Sequence, residues 1–131
     1  SIRGLHLLLA EDNELNAEIA ARLLNDEGAT VQVVRDGQQA IDAFASRPQG
    51  TYDAILMDIM MPKIDGYTAT RVIRSTNRQD AKAIPIIAMT AHVFDEDVKQ
   101  CLEAGMNAHL PKPLQMEKVV STIARLCKRK K

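Results

Sequence analysis

Four places in this 131-residue sequence set reactive side chains at the end of a short apolar run. Glu11–Asp12–Asn13 follows Leu5–Ala10, and Asp58 closes the run that begins at Ala54. Thr90–Ala91 ends the stretch from Ile84, and Lys112–Pro113 comes just after Ala108–Leu110. An apolar run that delivers a carboxylate must also supply a partner for it, because an unpaired charge in an apolar setting is strongly disfavoured. If these ends meet, three carboxylates, a hydroxyl and an ammonium share one cleft. Two like charges ~4 Å apart repel by roughly 4 kcal/mol at an effective dielectric near 20. Three carboxylates therefore call for a cation, or one must hold a proton. Oxygen donors without His or Cys favour Mg²⁺ over zinc. An ion of that kind keeps waters and binds phosphate oxygens, which suits an aspartate that accepts a phosphoryl group.

Each piece alone also has a plain structural reading. Glu11 and Asp12 can cap a helix and favour its dipole. Thr90 can merely end a strand, Lys112 can be an exposed turn lysine, and Asp58 can be satisfied by backbone amides. The chemical reading rests on four strand ends that carry complementary groups at once.

The elements that would position these groups follow from periodicity. Leu5–Ala10, Thr30–Val34, Asp53–Met57, Ile84–Thr90 and Ala108–Leu110 predict five strands. Between them apolar residues recur at helical spacing. The first set is Leu15, Ile19, Leu23 and Leu24, and the second is Ala40, Ile41 and Phe44. Val72 and Ile73 are expected to face inward from a helix over Tyr67–Arg74. Phe94, Val98, Cys101 and Leu102 mark a fourth helix, and Val119, Val120 and Ile123 a fifth. Gly28, Gly66 and Gly105 fall at helix boundaries. Asp36–Gly37 is a hairpin dipeptide, yet the helical period after it predicts a loop into the second helix. Strands alternating with helices imply a parallel sheet covered on both faces. Ligands bind such sheets outside the carboxyl ends of the strands, so the four groups converge on one edge.

Bulk properties narrow the classes. At 46% hydrophobic and 26% charged, the chain reads as a single globular domain over 1–131, with its core at about 5–127 and a basic tail or linker at 128–131. Lys plus Arg and Asp plus Glu both count 17, and aromatic residues are few, which argues against a nucleic-acid binder. Cys101 and Cys127 match no metal or redox spacing and sit at apolar positions, as expected in a reducing compartment. No apolar run approaches the ~18 residues of a membrane span, and no signal pattern opens the chain. A cytoplasmic protein without membrane contact is expected. The first residue is Ser1 rather than Met, which predicts a segment of a longer chain.

The stretches LLLAEDN, AILMDIMMPKIDG, IIAMTA and AGMNAHLPKPL, in this order, resemble the receiver domain of two-component response regulators over essentially the whole length. The resemblance implies an α/β, flavodoxin-like, doubly wound sheet of five parallel strands in order 2-1-3-4-5 with five helices. It implies that Asp58 accepts a phosphoryl group from a phosphohistidine. Asp12 would bind Mg²⁺ (or Mn²⁺) directly and Glu11 mainly through water, with Asp58 and the backbone carbonyl of Met60 as further ligands. Lys112 would pair with a phosphoryl oxygen, while the Thr90 hydroxyl and the Ala91 amide turn toward it. Pro62, Gly66 and Pro113 would shape turns, with a cis Lys112–Pro113 bond aiming the lysine. His109 stands where many receivers carry a Tyr or Phe switch residue, a departure from the pattern.

The output face would be the fourth helix, with His92, Val93 and Phe94, together with the fifth strand and fifth helix. That face is also the expected surface of a homodimer. Asn16 and the run CLEAGMNAHLPKPL resemble receivers attached to hybrid sensor histidine kinases. The implied partners are a sensor kinase or a histidine phosphotransfer domain, and the isolated domain is not expected to turn over a substrate. The alternatives are a stand-alone regulator, a Mg²⁺-dependent phosphatase with an aspartyl nucleophile, a flavin carrier, and a degenerate, unphosphorylated interaction module, which the intact acid pair, Asp58, Thr90 and Lys112 disfavour. A phosphatase of the haloacid-dehalogenase type would place an acid at position 60, which is Met. A flavin carrier would need a Ser/Thr/Gly-rich loop where the chain has AEDNELN.

Overall fold

The computed structural model describes residues 1–91 and 95–128. Its elements run β1 (His6–Ala10), α1 (Glu14–Asp26), β2 (Thr30–Val34), α2 (Gly37–Ala45), β3 (Ala54–Asp58), α3 (Gly66–Ser75), α4 (Gln79–Ala83), β4 (Ile86–Thr90), α5 (Asp95–Ala104), β5 (Ala108–Pro111) and α6 (Met116–Lys128). The strands form one sheet in the order β2-β1-β3-β4-β5, and every neighbouring pair is parallel. This is the expected order. Among the described residues there are six helices rather than five, the addition being the five-residue α4. Ile84 caps that helix, so the fourth strand starts two residues later than its apolar run, just after Pro85. Arg78 anchors the α4 turn. Its guanidinium lies 4.5 Å from the centroid of the Phe44 ring and donates to the Asp80 carboxylate and to the Phe44 carbonyl.

Alternate strand residues feed two cores. Leu8, Ala10, Ile55, Met57, Ile86 and Ala88 pack on the α2–α3 side. Leu7, Leu9, Ala54, Leu56, Ile87 and Met89 pack on the α1–α6 side. Burial on both faces is why the three central strands read as unbroken apolar runs instead of alternating ones. No helix among the described residues is long and apolar enough to cross a membrane.

The helical faces depart from the sequence reading in phase. In α1 the buried residues are Ala17, Ala20 and Leu24, whereas Leu15 is 64% and Ile19 49% exposed, and Leu23 is also exposed. Two registers fit the same helical period, and the one with alanines lets the helix sit close on the sheet. In α3 Ile73 is buried but Val72 is exposed, and in α5 Cys101 is buried but Leu102 is exposed. Cys127 is half-buried. His92, Val93, Phe94 and the tail residues from 129 onward lie outside the described residues.

Three helices begin with matched caps at the same sheet edge. Asn13 accepts from the Asn16 amide, Asp36 from that of Gln39 and Asp65 from that of Thr68. Each satisfies an amide that the helix itself leaves open. Gly28 and Gly105 follow α1 and α5 at positive φ, as expected of C-terminal turns. Gly66 has another job and begins α3, where a Cβ would stand 2.4 Å from the Asp58 carbonyl oxygen. It lets the helix start directly against the end of β3.

Ile73 and Val72 offer a paired test of the α3 face. Ile73→Ala should cost about 2–5 kcal/mol of unfolding free energy through transfer and cavity terms. Val72→Ala should stay within about 0.5 kcal/mol. Urea unfolding of both variants checks this, and equal losses would contradict the observed face.

Candidate functional site

The order β2-β1-β3 means that the chain leaves β1 toward one side of the sheet and re-enters at β3 on the other. The crevice at that reversal is where open α/β sheets bind ligands. Here β1 hands over Glu11 and Asp12, and β3 ends in Asp58. One carboxylate oxygen from each of the three lies within 4.8 Å of the others. Glu11 and Asp58 are both only 3% exposed, while Asp12 faces solvent. The capping explanation for the acid pair fails on geometry. Asn13 makes the α1 cap, and Glu11 instead accepts from the Asn13 amide at 3.1 Å.

Lys112 supplies the counter-charge from two strands away. The turn after β5 carries it back over the sheet, with its amide donating to the Thr90 carbonyl at 2.8 Å. The Lys112–Pro113 peptide is cis, as expected. The ammonium donates to Asp58 Oδ2 at 2.8 Å and to Glu11 Oε1 at 2.9 Å. Burial works to lower the pKa of this lysine. The hydrogen bonds and charges of Asp58 and Glu11 outweigh it, and the net shift is upward. Lys112 is accordingly charged through the neutral range. With three acids formally set against one ammonium, the cluster has room for a divalent cation. Its all-oxygen donor set fits a hard ion that retains waters.

The remaining expected residues lie in β4, β5 and the loops that follow β3, β4 and β5. Thr90 is buried at the end of β4, and Ala91 is exposed just beyond it. Met60 is 76% exposed, and its amide donates to Asp58 Oδ1 at 3.3 Å. Pro62 is an exposed residue of the same loop, and Pro113 is exposed beside Lys112. His109 is half-buried in β5, opposite Ala88 in register. The expected line His92–Val93–Phe94 falls outside the described residues.

Two features escaped the sequence reading. A groove of about 410 Å³ opens beside the acids, lined in part by Glu11, Asn16, Ile19, Leu23, Lys112 and Leu114. Its signal was present in the surplus leucines and isoleucine of α1, which fit the helical period but exceed what one buried face holds. The second is an ion pair between Lys63 and Asp36, 3.6 Å apart, which ties the loop after β3 to the start of α2. Nothing in the spacing of those two residues announces it.

Residues 7–124 match the response regulator receiver domain. The chain belongs to this family. Histidine kinase 1 of Arabidopsis thaliana is 38% identical over 98% of the chain, and the chain spans 13% of that protein's length. Among solved structures, the receiver domain of the sensor histidine kinase PA1611 from Pseudomonas aeruginosa is 38% identical, with a TM-score of 0.84. That likeness covers 95% of this chain and 98% of the other, and the neighbour holds a magnesium ion in its active-site cleft. The receiver domain of yeast Ssk1, crystallised with the histidine phosphotransfer protein Ypd1, also superposes, with a TM-score of 0.85. It is 25% identical, over 96% of this chain and 90% of the other. The receiver is thus a two-component signalling module whose relatives include parts of histidine kinases.

Removing the ammonium tests the electrostatic centre of the receiver without any metal. In chelator, Lys112→Met should lose roughly 3 kcal/mol of stability, because two buried carboxylates are left without their partner. Adding Asp58→Asn should restore part of that loss, since it deletes one of the stranded charges. Denaturant titrations of the two single variants and the double variant give the coupling, and strictly additive losses would show that the ion pairs carry no weight.

Proposed function

We propose that this receiver accepts a phosphoryl group on Asp58 from a phosphohistidine, with Mg²⁺ (Mn²⁺ as a substitute) held by Asp12, Asp58, the Met60 carbonyl and, through water, Glu11. The observation that carries this reading is the Asp58 carboxylate, set in the acid cluster with the Lys112 ammonium 2.8 Å away. Bound there, the divalent ion supplies charge neutralisation for the phosphoryl oxygens. The residues of the chain do the rest. An Asp58 oxygen bonds to phosphorus as the phosphorus–nitrogen bond of the donor breaks. The imidazole nitrogen keeps that electron pair and takes up a proton. Lys112, already charged and partly desolvated, then pairs with a phosphoryl oxygen as well as with Glu11. Met60 offers a thioether and no acid to protonate a leaving group, which supports one-time acceptance over phosphatase turnover.

Phosphorylation adds about two negative charges and strong acceptor oxygens. The Thr90 hydroxyl and the Ala91 amide are the donors at the end of β4 that would turn toward them. Because β4 pairs directly with β5, His109 and the α5–β5–α6 surface would follow, as a shift between two packed states. This is the output face expected from the sequence, renumbered for the extra helix.

The donor should be a protein that lays an apolar helical surface on α1. Exposed Ile19 and Leu23 line the groove shared with Glu11 and Lys112, and exposed Leu15 lies one turn earlier on the same helix. An apolar groove beside a reacting group suits a partner that must deliver its own side chain to Asp58. The crystallised Ypd1–Ssk1 pair supports a histidine phosphotransfer partner of this kind. The likeness to receivers of sensor histidine kinases supports a hybrid kinase as the parent, with Asp58 passing the phosphoryl group onward.

Two measurements test these readings. Acetyl phosphate with Mg²⁺ should add the mass of one phosphoryl group to the wild type but none to Asp58→Asn, and chelator should abolish the addition. Labelling of Asp58→Asn to the same extent would refute the assignment. Ile19→Asp should slow transfer from a phosphorylated phosphotransfer protein about tenfold more than it slows labelling by acetyl phosphate, given the usual weight of a central interface anchor. Equal effects on both donors would remove α1 from the docking surface.

A further inference from the structure

The loop that carries Met60 is seated against the start of α2. It leaves β3 at Ile59 and returns at Gly66, whose amide donates to the Ile59 carbonyl at 2.9 Å. Within it Lys63 takes a φ of 68°, an uncommon conformation for a residue with a side chain. At the far side stands Gly37, the buried first residue of α2. A Cβ built on Gly37 would lie 2.2 Å from the Ile64 carbonyl oxygen and 2.9 Å from its carbonyl carbon. Next to it the Asp36 carboxylate caps α2 with one oxygen and faces the Lys63 ammonium at 3.6 Å with the other. Backbone thus meets backbone at Gly37, and no rotamer change can relieve an added methyl group.

We propose that Gly37, backed by the Asp36–Lys63 ion pair, is a positioning residue that sets where the Met60 carbonyl stands and thereby the affinity of the acid cluster for Mg²⁺. The inference rests on the reading of Met60 as a ligand given above. Which partner yields to a larger residue at 37 follows from burial. Helix α2 is fixed by Ala40 and Phe44, essentially fully buried in the core, and by its Asp36 cap. The loop is held more lightly: Met60, Pro62 and Lys63 are exposed, and Met61 and Ile64 are only partly buried where they pack on the core. The loop therefore moves, and Met60 lies only four residues from the clash. Mg²⁺ demands near-ideal octahedral geometry at short range, whereas Ca²⁺ accepts irregular shells. A displaced carbonyl then costs Mg²⁺ more than Ca²⁺. Outer-shell supports of metal ligands typically change affinity by about 10–100-fold when removed.

The test is calorimetric titration of the receiver with each ion, run well below the melting temperature measured in chelator. Gly37→Ala should weaken Mg²⁺ binding roughly tenfold or more and Ca²⁺ binding distinctly less. A merely structural role would lower the melting temperature and leave both dissociation constants in place. Lys63→Ala gives a test of sign. Removing a positive charge from the receiver would by electrostatics alone leave Mg²⁺ binding unchanged or tighter, whereas loss of the positioning pair should weaken it about threefold, in keeping with an exposed ion pair. A folded Gly37→Ala that binds Mg²⁺ within about twofold of the wild type overturns the proposal. Should Gly37→Ala fail to melt cooperatively, Lys63→Ala decides: weaker binding upholds the proposal, and equal or tighter binding overturns it. Failure of the wild type itself to bind Mg²⁺ would remove the site reading, and this inference with it.

Discussion

One ammonium holds two buried carboxylates at the mouth of the sheet, and the rest of the site depends on that imbalance. Glu11 and Asp58 are desolvated by the strands that deliver them, which on its own is a cost. Lys112 offsets it by bonding to both at once. Asp12 adds a third negative charge at the rim, where water screens it. The cluster is therefore satisfied enough to fold and still negative enough to draw a cation. A site neutral in itself would hold no such attraction, and one with no lysine would strain the fold.

The sheet edge divides its labour between holding helices and doing chemistry. Asn13, Asp36 and Asp65 start α1, α2 and α3 by accepting backbone amides. Because Asn13 takes the cap, α1 does not consume Asp12, and Glu11 turns its second oxygen to the Asn13 amide while the first meets Lys112. Gly66 completes the division at β3. It admits α3 against the carbonyl of Asp58, so the backbone of that residue is held while its carboxylate meets Lys112 and the other acids. Rigid strands, capped helices and one close glycine fix the acids before any ligand arrives, which is the preorganisation that charge stabilisation requires.

The sequence made the sheet legible because its strands are buried on both faces. Unbroken apolar runs are hard to mistake when polar helices separate them, and the residues that end those runs named Glu11, Asp12, Asp58, Thr90 and Lys112. Strand boundaries moved by a residue or two where Pro85 and the β3 carboxylate decided the ladder. Helix phase was less legible, since a period of 3.6 fixes the spacing of a face but not which of two apolar stripes meets the sheet. In α1 the stripe of Ala17, Ala20 and Leu24 won that contest because small side chains allow close approach, and Leu15, Ile19 and Leu23 were left outside. Helix α4 was missed for a different reason: Asn77–Ala83 is polar, and its turn is held by Arg78 contacts to Phe44 and Asp80 that no local pattern encodes.

The places where local rules break are the places where function collects. An exposed Leu15, Ile19 and Leu23 row contradicts the expectation that apolar residues seek the core, and Ile19 and Leu23 line the groove that holds Glu11 and Lys112. A non-glycine residue at positive φ, Lys63, sits in the loop that carries Met60. A carboxylate ends the most deeply buried strand. Each departure carries a cost in isolation, and consistent sequences avoid such costs except where a site demands them. Two of these departures, the exposed α1 residues that line the groove and the carboxylate at the end of β3, flank Glu11 and Lys112 on the same sheet edge, which is the physical argument for looking to that edge of the receiver for its chemistry.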